Sequence, residues 1–108
     1  MAHHKEKVEA RIRKLAAEFL ERVSAGPALI TVTGSEISQA GTHLKIFLSV
    51  YPAGEEKKVL GFANRRRAEF KGFLKEKIQM RSLPHIVFEL DLGERARERF
   101  EEVLRHGK

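Results

Sequence analysis

The chain contains no cysteine. That removes disulfides, cysteine-based zinc sites and thiol nucleophiles from consideration, and a reducing cytosol is the default setting for such a sequence. No apolar run approaches the roughly 20 residues that a membrane helix needs. Behind the charged N-terminus there is no apolar signal-peptide segment, so a soluble, cytoplasmic protein with no membrane partner is expected. Only three prolines occur, Pro27, Pro52 and Pro84, and each stands where a periodic segment stops. Glycine-rich phosphate loops and nucleophile motifs are missing too. His43, His85 and His106 are scattered without metal-ligand spacing. Neither a cofactor nor a metal is expected.

Negative charge is scarce in one stretch. Lys57, Lys58, Arg65, Arg66, Arg67, Lys71, Lys75, Lys77 and Arg81 face only Glu69 and Glu76 between positions 57 and 81. This local excess of +7 is larger than the net +6 of all 108 residues, so the remainder is nearly neutral. A basic element on a near-neutral body points to a polyanion, and nucleic acid is the commonest one in a cell. A single domain over residues 1–108 is expected, large enough to bury one core without staples.

Periodicity supplies the elements. Val8, Ile12, Leu15, Phe19 and Val23 recur at helical spacing and predict a helix over about Lys5–Ser24, which Ala25-Gly26-Pro27 ends. A β-branched run, Leu29–Ile37, and an alternating run, His43–Tyr51, flank the turn residues Ser38-Gln39-Ala40-Gly41 and predict an antiparallel hairpin. In the second strand Leu44, Ile46, Leu48 and Val50 form the core face, with His43, Lys45, Phe47, Ser49 and Tyr51 opposite. Phe47 and Tyr51 could stack on bases, but covering the sheet is the plainer role. Pro52-Ala53-Gly54 precedes a helical segment over about Glu55–Gln79. A third strand, with Ile86, Phe88 and Leu90 alternating, follows Pro84, and Gly93 opens a last helix marked by Ala96, Phe100, Val103 and Leu104.

The long helical segment contains a contradiction. Val59, Ala63, Phe70, Phe73, Leu74 and Ile78 share one sector of a helical wheel, but Arg66 and Arg67 fall in it as well. Burying unpaired guanidinium groups costs several kcal/mol, so a bend between Asn64 and Ala68 is the cheaper solution.

The resulting order, α-β-β-α-α-β plus a terminal helix, is that of type II K-homology folds. Three segments carry a closer likeness: Val32-Thr33-Gly34-Ser35-Glu36-Ile37-Ser38, Leu44-Lys45-Ile46-Phe47-Leu48-Ser49, and Met80 to Asp91, where Arg81, Pro84, Ile86, Phe88 and Asp91 match in order. Over about residues 8–105 the chain resembles the ribosome-binding factor A family. It departs at Gln39-Ala40-Gly41, where relatives usually carry an acidic residue. It departs again at Arg66-Arg67-Ala68, which stands where they carry an Ala-x-Gly break.

The resemblance implies an α+β, type II K-homology-like domain, with a kinked second and third helix and a C-terminal helix on a three-stranded sheet. It also implies a non-catalytic assembly factor, a monomer that binds the free small (30S) ribosomal subunit, assists late maturation of its 16S rRNA and supports growth in the cold. The candidate RNA-binding residues are Lys45, Lys57, Arg65, Arg66, Arg67, Lys71, Lys75 and Arg81. Lysines offer point charges to phosphate, whereas the arginine triplet can make bidentate or stacked contacts. A K-homology-like module for another structured RNA is the alternative. An enzyme built on Glu89, Asp91 and His43 or His85 is the reading from a different class; a domain this small has little volume for a small-molecule pocket.

Overall fold

The computed structural model describes residues 2–24, 26–80 and 82–93. Its element order is α1 (Ala2–Val23), β1 (Leu29–Ile37), β2 (His43–Tyr51), a 3-10 turn at Ala53–Glu55, α2 (Glu56–Arg65), α3 (Arg67–Lys77) and β3 (His85–Leu90). This is the predicted type II K-homology order, and the strand limits coincide with the sequence pattern. The expected terminal helix beyond Gly93 lies outside the described residues, as does Arg81.

The sheet order is β1-β2-β3, antiparallel between the first pair and parallel between the second. A parallel partner requires a crossover, and α2 with α3 provides it. Gly41 turns the hairpin with a φ of 75°. There the Ser38 hydroxyl accepts from the Thr42 and His43 N–H groups at 3.1 and 3.0 Å. A bulge between Val32 and Gly34 keeps Ile30, Val32 and Ile37 facing the helices on either side of it.

The three described helices pack on one face of the sheet. Ile12, Leu15, Ala16, Phe19 and Leu20 form the buried stripe of α1, meeting Leu44, Ile46, Leu48, Val50, Ile86 and Phe88 from the strands. Polar contacts hold α1 in place. The Glu9 carboxylate accepts from the Ile37 N–H at 2.7 Å, and Arg11 donates to the Lys77 carbonyl, at the C-terminus of α3, at 3.0 Å.

The bend is a true break, and it falls at Arg66. This residue has φ −99° and ψ 12°, and its N–H bonds back to the Ala63 carbonyl at 3.0 Å. Helical bonding resumes with the Phe70 N–H to the Arg66 carbonyl at 2.9 Å. Arg67 is exposed and Arg66 half-exposed, while Phe70, Phe73 and Leu74 are buried. The interruption therefore resolves the conflict seen on the helical wheel.

Aromatic packing fastens the resumed helix. Phe70 lies 5.2 Å from Phe19 and 5.7 Å from Phe88, centroid to centroid, so one ring joins α1, α3 and β3. Phe70→Ala should lower unfolding free energy by about 3–5 kcal/mol, the usual cost of removing a buried ring. Arg66→Ala should lower it by less than about 1 kcal/mol, since its ion pair is solvent-exposed. Urea denaturation of the two variants checks the contrast.

Candidate nucleic-acid interface

Two cations converge beside the break. Arg67 is the first residue of α3, and Lys71 follows one turn later on the same side. With Ala68, His85 and Ile86 they line a surface recess of about 170 Å³, and no carboxylate is among its lining residues. No side chain caps the start of α3. The first N–H groups of any helix lack intrahelical partners, and the helix dipole adds partial positive charge there. Arg67, Lys71 and an uncapped first turn together make an anion-attracting corner. Lys75 extends it by one further exposed turn of α3.

Histidine adds a feature that the sequence had hidden. His43 and His85 stand opposite each other in the parallel register, with rings 5.9 Å apart and edge-on. Their 42-residue separation concealed this, because only the pairing of β2 with β3 brings them together. Among the described residues, no group of three histidine, aspartate or glutamate side chains could hold a metal. Of the acid-base set considered from the sequence, Glu89 stands apart from the histidine pair. Glu89 lies opposite Phe47, four residues along β3 from His85, and pairs with Lys45 at 3.9 Å.

The arginine triplet divides its work. Arg66 donates to Glu69 at 3.0 Å and sits 5.0 Å from the centroid of the Phe62 ring. Arg65 folds back along α2, where a Cβ on Gly61 would lie 3.3 Å from its guanidinium. Arg67 alone faces the recess beside His85.

Other candidates lie further away. Lys57 is exposed on the first turn of α2, eight positions before Arg65. Lys45 projects from the face of the sheet opposite the helices, where Phe47 packs half-buried over Gly34 and Tyr51 is exposed. His43 and His85 project on that same face, so Lys45 shares a side of the sheet with one wall of the recess, although its ion pair is with Glu89. Strand alternation in the sequence already placed it there; what the sequence could not show is that the three described helices all take the other side.

Asn64 secures this geometry, and sequence inspection gave it no role. Its carboxamide accepts from the Phe88 N–H at 2.9 Å and donates to the Phe88 carbonyl at 3.1 Å and to the Leu60 carbonyl at 3.2 Å. One side-chain amide therefore imitates a neighbouring strand at the outer edge of β3, two residues before the break.

The family model for ribosome-binding factor A matches residues 4–104. The chain belongs to the ribosome-binding factor A family. It is 38% identical over 95 residues to ribosome-binding factor A of Synechococcus sp. (strain CC9311), covering 82% of this chain and 69% of that relative. The crystal structure of ribosome-binding factor A from Thermus thermophilus superposes with a TM-score of 0.72 at 24% identity, over 80% of this chain and 94% of that one. A homology model of the T. thermophilus ribosome-binding factor A, fitted into a cryo-EM map of its 30S complex, gives a TM-score of 0.67 at 24% identity, over 77% and 90% of the two chains. The ribosome-binding factor A fold is thus shared at low identity. The Asn64 contacts and the Arg66 break are the means by which this chain holds its version of it.

Asn64→Ala leaves the Phe88 N–H and carbonyl without their side-chain partner. It should cost about 1–3 kcal/mol and accelerate hydrogen exchange at the Phe88 amide. Exchange at Phe88 equal to that of the parent protein would show that the clamp is dispensable.

Proposed function

We propose that this chain is a non-catalytic assembly factor that binds the free small (30S) ribosomal subunit through its 16S rRNA and assists late maturation of that RNA, including in the cold. The single observation that carries the reading is the acid-free recess of Arg67, Lys71 and His85 at the uncapped start of α3. The family, together with the 30S complex of the T. thermophilus relative, supports the choice of partner. The factor acts in the cytoplasm as a single-domain monomer; among the described residues no helix is long and apolar enough to cross a membrane.

Physical chemistry connects the recess to that role. Folded ribosomal RNA presents phosphate and 2′-hydroxyl groups on a defined shape, which a rigid cationic corner can grip without reading sequence. Arg67 supplies a planar donor fork, Lys71 and Lys75 supply mobile point charges, and the first turn of α3 contributes backbone N–H donors. Lys57, Arg66 and Arg81 add long-range attraction, Arg65 adds charge on the α2 side of the break, and Lys45 adds charge on the sheet face that His85 shares. Binding free energy alone then drives the action, by favouring one conformation of the immature subunit over others. No bond is made or broken by the protein.

Association should be electrostatic. With about five phosphates neutralised, the slope of log affinity against log salt is expected near −4. Arg67→Glu combined with Lys71→Glu should abolish co-sedimentation with free small subunits and leave the melting temperature within a few degrees of the parent, since both side chains are exposed. Undiminished co-sedimentation of the double variant would place the interface elsewhere. Preferential sedimentation with the large subunit would refute the choice of partner.

A further inference from the structure

A second cleft opens on the other side of α2. Ala28, just before β1, and Ile30 within it, with Val59 and Phe62 from α2, form its apolar wall, and Lys58 and Arg65 stand beside it. The cavity volume is about 160 Å³. That accommodates one ring system but falls below the roughly 300–1,000 Å³ typical of pockets for larger ligands.

Its chemistry is mixed in a particular way. Arg65 is the one arginine of the triplet turned toward this cleft, and it reaches the position by lying over Gly61, where the missing side chain leaves room. Arg66 does not line the cleft; it holds the Phe62 ring from outside at 5.0 Å. Glu55, also in the lining, adds one carboxylate acceptor. An aromatic and aliphatic wall suits a flat base, two cations suit a phosphate, and a carboxylate suits an N–H on the edge of a base.

We propose that this cleft receives a single unpaired nucleotide of the bound RNA, with the base against Phe62, Val59 and Ile30 and the phosphate between Lys58 and Arg65. The inference rests on the RNA-binding reading and extends it. The break at Arg66 would have a phosphate corner on one side and a base pocket on the other, so the factor engages RNA where a strand leaves a helix. A duplex cannot present a base to such a cleft without unpairing it.

Methyl-detected NMR of the unmodified chain tests the site with cytidine 5′-monophosphate, cytidine and inorganic phosphate as probes. The monophosphate should move the Ala28, Ile30 and Val59 methyl signals in a saturable manner. Cytidine should move them about tenfold more weakly, and phosphate alone should not move them. Stationary signals at all three residues under the monophosphate would overturn the proposal.

Ala28→Phe, which fills the cleft, supplies the RNA arm. It should weaken binding to a hairpin with a single-stranded tail about tenfold and leave binding to the blunt hairpin unchanged. Equal effects on both RNAs would overturn the proposal. So would a loss seen only with complete subunits and not with protein-free RNA, which would make the occupant a protein side chain. Methyl shifts in a chain that ignores small subunits would uphold the cleft while refuting the ribosomal reading.

Discussion

A charged side chain cannot share a helix stripe with core residues unless the helix stops. Phe70, Phe73 and Leu74 must be buried to join α1 and β3, while Arg66 and Arg67 sit immediately before them in the same angular sector. Exposing the arginines by rotating an unbroken helix would expose the phenylalanines as well. The chain instead gives up helical geometry at Arg66 and restarts one residue later. A local break costs a few backbone bonds, whereas two buried unpaired guanidinium groups would cost several kcal/mol. The rest of the proposed interface follows from that choice.

What keeps the break in register is a polar contact in an otherwise apolar setting. Asn64 spends both halves of its carboxamide on Phe88, whose ring lies 5.7 Å from that of Phe70. The end of α2 and the start of α3 are thereby tied to the same residue of β3, one by hydrogen bonds and one by ring packing. A corner held at two points can present Arg67 and Lys71 in a constant direction. Where the family resemblance implies an Ala-x-Gly break, this chain turns without glycine, at a negative φ of −99° that needs no glycine.

The fold was legible because its signals are periodic. Alternation set the limits of β2 and β3, the i, i+3, i+4 stripe set α1, and the misplaced arginines marked the break within two residues of its position. The site was less legible, since it depends on register and side-chain direction. Nothing in spacing predicts that His85 pairs with His43, or that Arg65 lies back over Gly61 while Arg67 points forward. Asn64 was invisible for a related reason: an asparagine inside a helix carries no pattern, and its partner is 24 residues away.

The central claim is that the Arg66 break is the part of the protein that meets RNA. Photo-crosslinking from single positions in the complex with free small subunits tests it most directly. A crosslinker at Ala68, exposed in the first turn of α3, should attach to ribosomal RNA, and one at Ser49, on the sheet face opposite the helices, should not. Attachment to RNA from Ser49 with none from Ala68 would contradict the account.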